Sequence, residues 1–176
     1  MIKEIFDVVN FSDQVIGSEA RNEVHKGNLL HRAVHIMVSP SHSKWILQKR
    51  SGSKDVDPFL WTSSCSGHVD SGEKYIDAAV RECKEELGIV VKKESLIEIF
   101  RASPCEETGN EFVRFYLLKY KKEIKVKADE ILQVADYSID QIEQLMLTTP
   151  ELFSGSFIHL FPFVKKGVQL NEGCLP

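Results

Sequence analysis

The sequence predicts an α/β (α+β) fold, a mixed β-sheet with helices on its faces. Three features predict it. Short apolar runs bounded by turn residues read as strands, apolar residues at helical spacing mark a central helix, and two later segments read as further helices.

The elements follow in chain order. Glu4 to Val9 reads as a strand, with Ser12-Asp13-Gln14 as a turn before Val15-Ile16-Gly17. Ala33 to Val38 and Trp45 to Leu47 are apolar runs separated by Ser39-Pro40-Ser41-His42-Ser43, which has hairpin-loop chemistry. From Lys74 to Leu87, Ile76, Ala79, Val80, Cys83 and Leu87 fall on one helical stripe, and Gly88 supplies a stop. Leu96 to Phe100 and Phe112 to Leu118 read as strands, and Ile124 to Val126 as a short edge piece. Ser138 to Leu145 is a second helix with Ser138 as N-cap. Phe157 to Lys166 is a third, which Pro162 is expected to kink or shorten.

The chain has 176 residues, 43% apolar and 27% charged, enough for one domain spanning 1–176 with a real core. No repeat, low-complexity tract or linker divides it. A formal charge of −4 argues against binding a nucleic-acid polymer, which needs a basic footprint. No stretch approaches the ~20 apolar residues that span a bilayer, and the first residues lack a cationic head followed by an apolar run. Cys65, Cys83, Cys105 and Cys174 show neither C-x-x-C nor zinc spacing, so they read as free thiols of a cytoplasmic protein.

The chemistry concentrates between Gly67 and Ile89. Glu82, Glu85 and Glu86 stand at i, i+3 and i+4, on one face of the central helix and about a third of a turn from its apolar stripe. Three like charges near a helix C-terminus repel one another and oppose the macrodipole. A hard divalent cation such as Mg²⁺ or Mn²⁺ relieves both, and such ions suit phosphate substrates. For the triplet alone, a solvated acidic face is the commoner explanation.

The surrounding residues narrow the choice. Gly67, Glu73, Arg81, Glu82, Glu85, Glu86, Gly88 and Ile89 all fall in register with G-x5-E-x7-R-E-U-x-E-E-x-G-U, where U is bulky and apolar, and Cys83 takes the first U place. The segment resembles the motif of the Nudix hydrolases. That resemblance implies an α/β/α sandwich with a mixed sheet, and metal-assisted hydrolysis of a diphosphate linkage in a nucleoside diphosphate derivative or other organic diphosphate. It also implies that Glu82, Glu85 and Glu86 hold Mg²⁺ or Mn²⁺, with the Gly67 carbonyl as an additional ligand. Glu82 or Glu86 would act as general base, and Glu73 with Arg81 would brace the loop through an ion pair. Glu111, opening a later strand, is a further candidate for the metal shell or the base, with Glu106 and Glu107 as alternatives. A small-molecule diphosphate is the expected partner, and a homodimer is compatible because such domains often pair.

A second resemblance lies upstream. His25-Lys-Gly-Asn-Leu-Leu-His31 and Trp61-Thr-Ser-Ser-Cys65-Ser66-Gly67-His68 look like the Nudix branch that contains isopentenyl-diphosphate isomerase. In those isomerases histidines and glutamates bind a metal, and a cysteine immediately before Gly-His transfers protons. Here Ser66 holds that place, Cys65 is displaced by one, and Gly109-Asn110-Glu111 keeps only the second acid of a Glu-x-Glu pair. The Arg-Glu-x-x-Glu-Glu segment, usually degraded in the isomerases, is intact, so the hydrolase reading leads. An isomerase-like enzyme and a non-catalytic ligand-binding Nudix module are the alternatives. His25, His31 and His68 form a candidate metal site only under the isomerase reading, since a lone histidine is more often structural. His35, mid-strand, reads as packing, and Trp61 and Phe59 as core caps ahead of pocket walls.

Overall fold

A computed structural model describes residues 4–41 and 43–171. His42 of the expected hairpin loop and Cys174 lie outside the described residues. The N-terminal hairpin pairs β1 (Ile5–Val9) antiparallel with β2 (Val15–Ala20). Its turn is built by Asn10, whose Oδ1 accepts the Ser12 and Gln14 amides at 2.9 and 3.1 Å. A short helix, α1 (Arg21–Lys26), follows without a capping side chain, which is why the sequence carries no start signal for it.

Among the described residues the main sheet has seven strands. β3 (His31–Ser41) pairs antiparallel with β4 (Lys44–Arg50) and parallel with β8 (Glu111–Lys119), and β8 pairs antiparallel with β7 (Leu96–Ala102). The short β5 (Trp61–Thr62) and β9 (Ile131–Tyr137) both pair with β4, and β6 (Cys65–His68) pairs with β3. Side-chain alternation along β3 divides the core. Val34, Ile36 and Val38 face a layer formed by α2 (Tyr75–Leu87), with Ala79, Cys83 and Leu87 fully buried there. Ala33 and Met37 face the opposite layer of α3 (Ile139–Thr148) and α4 (Gly155–Asn171), through Ile142, Phe157 and Leu160. The result is the expected mixed sheet sandwiched between helices.

α2 ends where the sequence stops it. Gly88 takes a left-handed φ of 66°, and Ile89 N donates to Cys83 O at 2.9 Å to close the last turn. α3 begins with the expected cap: Ser138 Oγ accepts Gln141 N at 3.2 Å while Gln141 Oε1 accepts Ser138 N at 2.8 Å.

Two expectations are corrected. Ile124 to Val126 is not a strand; this stretch is irregular and tethered to the end of α2, with Lys125 N donating to Leu87 O and Lys127 N to Glu86 O. Pro162 does not shorten the last helix, which runs from Gly155 to Asn171. Pro162 and Ile158, whose carbonyl loses its i+4 donor, both lie on the exposed face, so water can satisfy that carbonyl.

Candidate active site

The start of β3 organises the site. Its parallel pairing sets His31 opposite Glu111, and its antiparallel pairing sets Ala33 opposite His68 at the end of β6. The β1–β2 hairpin then delivers α1 and with it His25. The three imidazoles meet with centroids 5.0–5.2 Å apart, and Phe6 of β1 stacks on His31 and His68 at 5.9 and 4.5 Å. Their ligand nitrogens lie within 4.8 Å of one another.

His31 Nδ1 donates to Leu29 O at 2.9 Å, which leaves Nε2 free to offer a lone pair inward. The Nε2 atoms of His25, His31 and His68 are all buried without a hydrogen-bond partner. Glu111 Oε1 lies 3.1 Å from His68 Nε2 and 3.6 Å from His31 Nε2, contacts of charge and proximity without hydrogen-bond alignment. Burial penalises the Glu111 charge, but the His31 and His68 contacts outweigh it and hold the carboxyl below its usual range. Burial, helped by the neighbouring His68 and His31, lowers His25 and favours its neutral form. Buried, unpartnered imidazole nitrogens beside a carboxylate fit a divalent cation.

The second half of the site is the loop and helix from Gly67 to Gly88. Asp7 of β1 pins the loop by accepting Ser71 Oγ at 2.7 Å and Gly72 N at 3.1 Å, and Glu73 Oε2 accepts Asp70 N at 3.1 Å. Arg81 Nη2 reaches His68 O at 2.8 Å, and its Nη1 contacts Glu82 Oε1 at 2.6 Å and Glu85 Oε2 at 3.2 Å. Glu82 packs directly on the Gly67 backbone, where a Cβ would overlap its carboxylate. Glu86 Oε2 accepts Gln48 Nε2 at 3.1 Å and Ser66 N at 3.3 Å.

The three glutamates are not equivalent. Glu82 and Glu86 are buried, on a face broader than the apolar stripe alone, whereas the Glu85 carboxylate is half exposed. Burial, then the charge of Glu86, raises Glu82 to about 8 against the pull of Arg81. Burial likewise raises Glu86 to about 7 against Lys54. Among the described residues, the oxygens of Glu82, Glu85 and Glu86 do not converge within 4.8 Å as the histidine nitrogens do. Arg81 Nη1, contacting both Glu82 and Glu85, occupies part of that space.

Both halves open into one cavity of about 370 Å³. Gly67, Glu82, Glu85, Glu86, His25, His68 and Glu111 line it, joined by Glu107 but not by Glu106. Residues without a sequence signal complete it: Arg50 brings a cation from the end of β4, Lys54 another from the β4–β5 connection, and Lys127 a third. Strand alternation sends Cys65 into the core beside Cys83 and leaves Ser66 on the cavity wall. Burial pushes the Cys65 thiol well up, which makes it inert. His35, expected as packing, is buried, stacked on Phe115 and hydrogen-bonded to Ser63 Oγ at 2.9 Å, and it also lines the cavity. Neither Trp61 nor Phe59 lines the cavity. Trp61 packs on the second core layer, while Phe59 is 55% exposed and does not cap the core as expected.

A family profile described as NUDIX domain matches residues 29–161. The chain belongs to the Nudix family. An uncharacterised Nudix hydrolase of Clostridium acetobutylicum is 33% identical over 156 residues, covering 83% of this chain and 75% of that one. An isopentenyl-diphosphate Delta-isomerase of Serratia proteamaculans is 30% identical over 171 residues, covering 96% and 93%. In fold, this Nudix chain is similar to a crystal structure from Deinococcus radiodurans, with a TM-score of 0.80 at 24% identity over 90% of this chain and 98% of that one. It is also similar to a Caenorhabditis elegans Ap4A hydrolase, with a TM-score of 0.57 at 20% identity over 81% and 99%. Among the described residues no helix is long and apolar enough to cross a membrane.

Proposed function

We propose that this Nudix enzyme is a hydrolase, dependent on Mg²⁺ or Mn²⁺, that cleaves the diphosphate linkage of a nucleoside diphosphate derivative or another organic diphosphate. The observation that carries the proposal is the buried pair Glu82 and Glu86 in one cavity with Arg50 and Lys54. Two carboxylates held near neutrality by burial are poised to gain a cation, and the facing cations suit an anionic substrate.

Glu82, Glu85, Glu86 and the Gly67 carbonyl would hold the metal, with Glu111 available across the cavity. When bound, that ion supplies charge neutralisation and Lewis acidity at the diphosphate oxygens. The remaining work falls to side chains. Arg50 and Lys54 would bind and orient the substrate phosphates, and Glu82 or Glu86 would accept the proton of the attacking water. Arg81 and Glu73 keep the loop in register with the helix.

The histidine cluster favours a second reading, an isopentenyl-diphosphate isomerase-like enzyme using His25, His31, His68 and Glu111 as its metal site. Ser66 in the acid–base place weighs against it, since its hydroxyl is a far weaker proton donor than a thiol. The test is a panel of nucleoside diphosphate sugars, dinucleotides, nucleoside triphosphates and isopentenyl diphosphate, each with Mg²⁺, with Mn²⁺ and with chelator. Metal-dependent cleavage supports the hydrolase; isomerised isopentenyl diphosphate without cleavage replaces it with the second reading.

A further inference from the structure

Behind one wall of the cavity, the β7–β8 loop meets α4. Cys105 Sγ lies 3.6 Å from His159 Nε2, and the Glu107 carboxylate completes a group whose donor atoms all fall within 4.8 Å. For zinc, bonds of about 2.3 Å to sulfur and about 2.0–2.1 Å to nitrogen at a tetrahedral angle put the two donors about 3.5 Å apart. The observed separation matches that edge. Cys105 and His159 are half-buried and Glu107 is exposed, so an ion can enter from solvent without unfolding the loop.

We infer that Cys105, Glu107 and His159 form a soft-metal site that takes Zn²⁺, separate from the carboxylates of α2. A thiolate, an imidazole and one carboxylate select Zn²⁺ over Mg²⁺, the opposite preference to an all-carboxylate set. Three protein ligands leave a fourth position for water. Binding requires the Cys105 thiolate, so its proton passes to solvent and affinity falls with falling pH. The site would act as a clamp. The same loop lines the cavity with Glu107, Thr108 and Gly109 and leads into β8 at Glu111, so an ion here ties that wall to α4. This inference does not depend on which reaction the cavity performs.

Titration of the metal-free 176-residue chain with Co²⁺ tests it, because a cysteine ligand adds a thiolate-to-metal charge-transfer absorption that oxygen and nitrogen ligands do not. The band is expected in the wild type, displaced by Zn²⁺ but not by excess Mg²⁺. It should vanish in Cys105→Ser, survive in Cys174→Ser and His25→Ala, and need at least about tenfold more Co²⁺ in His159→Ala. Circular dichroism of each variant should match the wild type. No band at saturating Co²⁺, a band unchanged in Cys105→Ser or His159→Ala, or ready displacement by Mg²⁺ would overturn the assignment.

Discussion

Arg81 holds Glu73 through two parallel hydrogen bonds, Nε to Oε1 at 3.1 Å and Nη2 to Oε2 at 2.9 Å. The loop that opens the motif is thereby fastened to the helix that carries the carboxylates. A lysine keeps the charge of Arg81 but cannot make the paired bonds or also reach His68 O. Arg81→Lys is therefore expected to lower stability by about 1–3 kcal/mol, between the values for exposed and buried pairs. Urea denaturation would measure this, and Mg²⁺ titration should show weaker binding in the same variant.

Gly67 approaches Glu82 so closely that a methyl group there would displace the carboxylate. Gly67→Ala should leave the sheet folded and reduce turnover about hundredfold or more, the scale of a mispositioned catalytic group. Circular dichroism and steady-state kinetics separate the two effects. Activity near that of the wild type would show that the Glu82–Gly67 contact is dispensable.

Ser66 lines the cavity where the isomerase branch places its cysteine, yet its structural contact is the backbone N–H given to Glu86. Ser66→Ala preserves that N–H. Diphosphate cleavage should stay within about twofold of wild type, since no proton is routed through the hydroxyl. A collapse in rate would return the isomerase-like position to the mechanism.

His35 governs an acid limb of stability. Burial lowers it from 6.5 to about 4, so between those values the unfolded chain binds a proton that the folded chain excludes. The His35 contribution is fully present above pH 6.5 and is lost as pH falls towards 4, on the order of 3 kcal/mol. His35→Gln should show a shallower decline over that window in urea midpoints measured across pH. An unchanged slope would show that His35 does not set this acid limb.

The elements most legible in the sequence are those with strong local chemistry. The stripe from Ile76 to Leu87, the Gly88 stop and the Ser138 cap each name a physical requirement that the chain meets in place. β9 carries no clear sequence signal: Leu132 and Gln133 are exposed while Ile131 is buried, so no clean alternation marks its start. α1 lacks a cap, and Pro162 is tolerated because its helix face looks to water. In the site, the motif residues share a local spacing and were readable, but their unequal burial was not. The convergence of His25, His31, His68 and Glu111 depends on the parallel β3–β8 register and on Phe6 behind it, which no local pattern encodes. Arg50 at the end of β4 and Lys54 in the loop after it reach the cavity from a stretch with no motif at all.

The proposed hydrolysis needs both the α2 carboxylates and a divalent cation. The most direct measurement compares product release by the wild type and Glu86→Gln from the diphosphate panel, with Mg²⁺, Mn²⁺ and chelator. The wild type should cleave at least one substrate, with cleavage abolished by chelator and reduced about hundredfold or more in a folded Glu86→Gln protein. Cleavage that survives chelation, or a variant as active as the wild type, would contradict it.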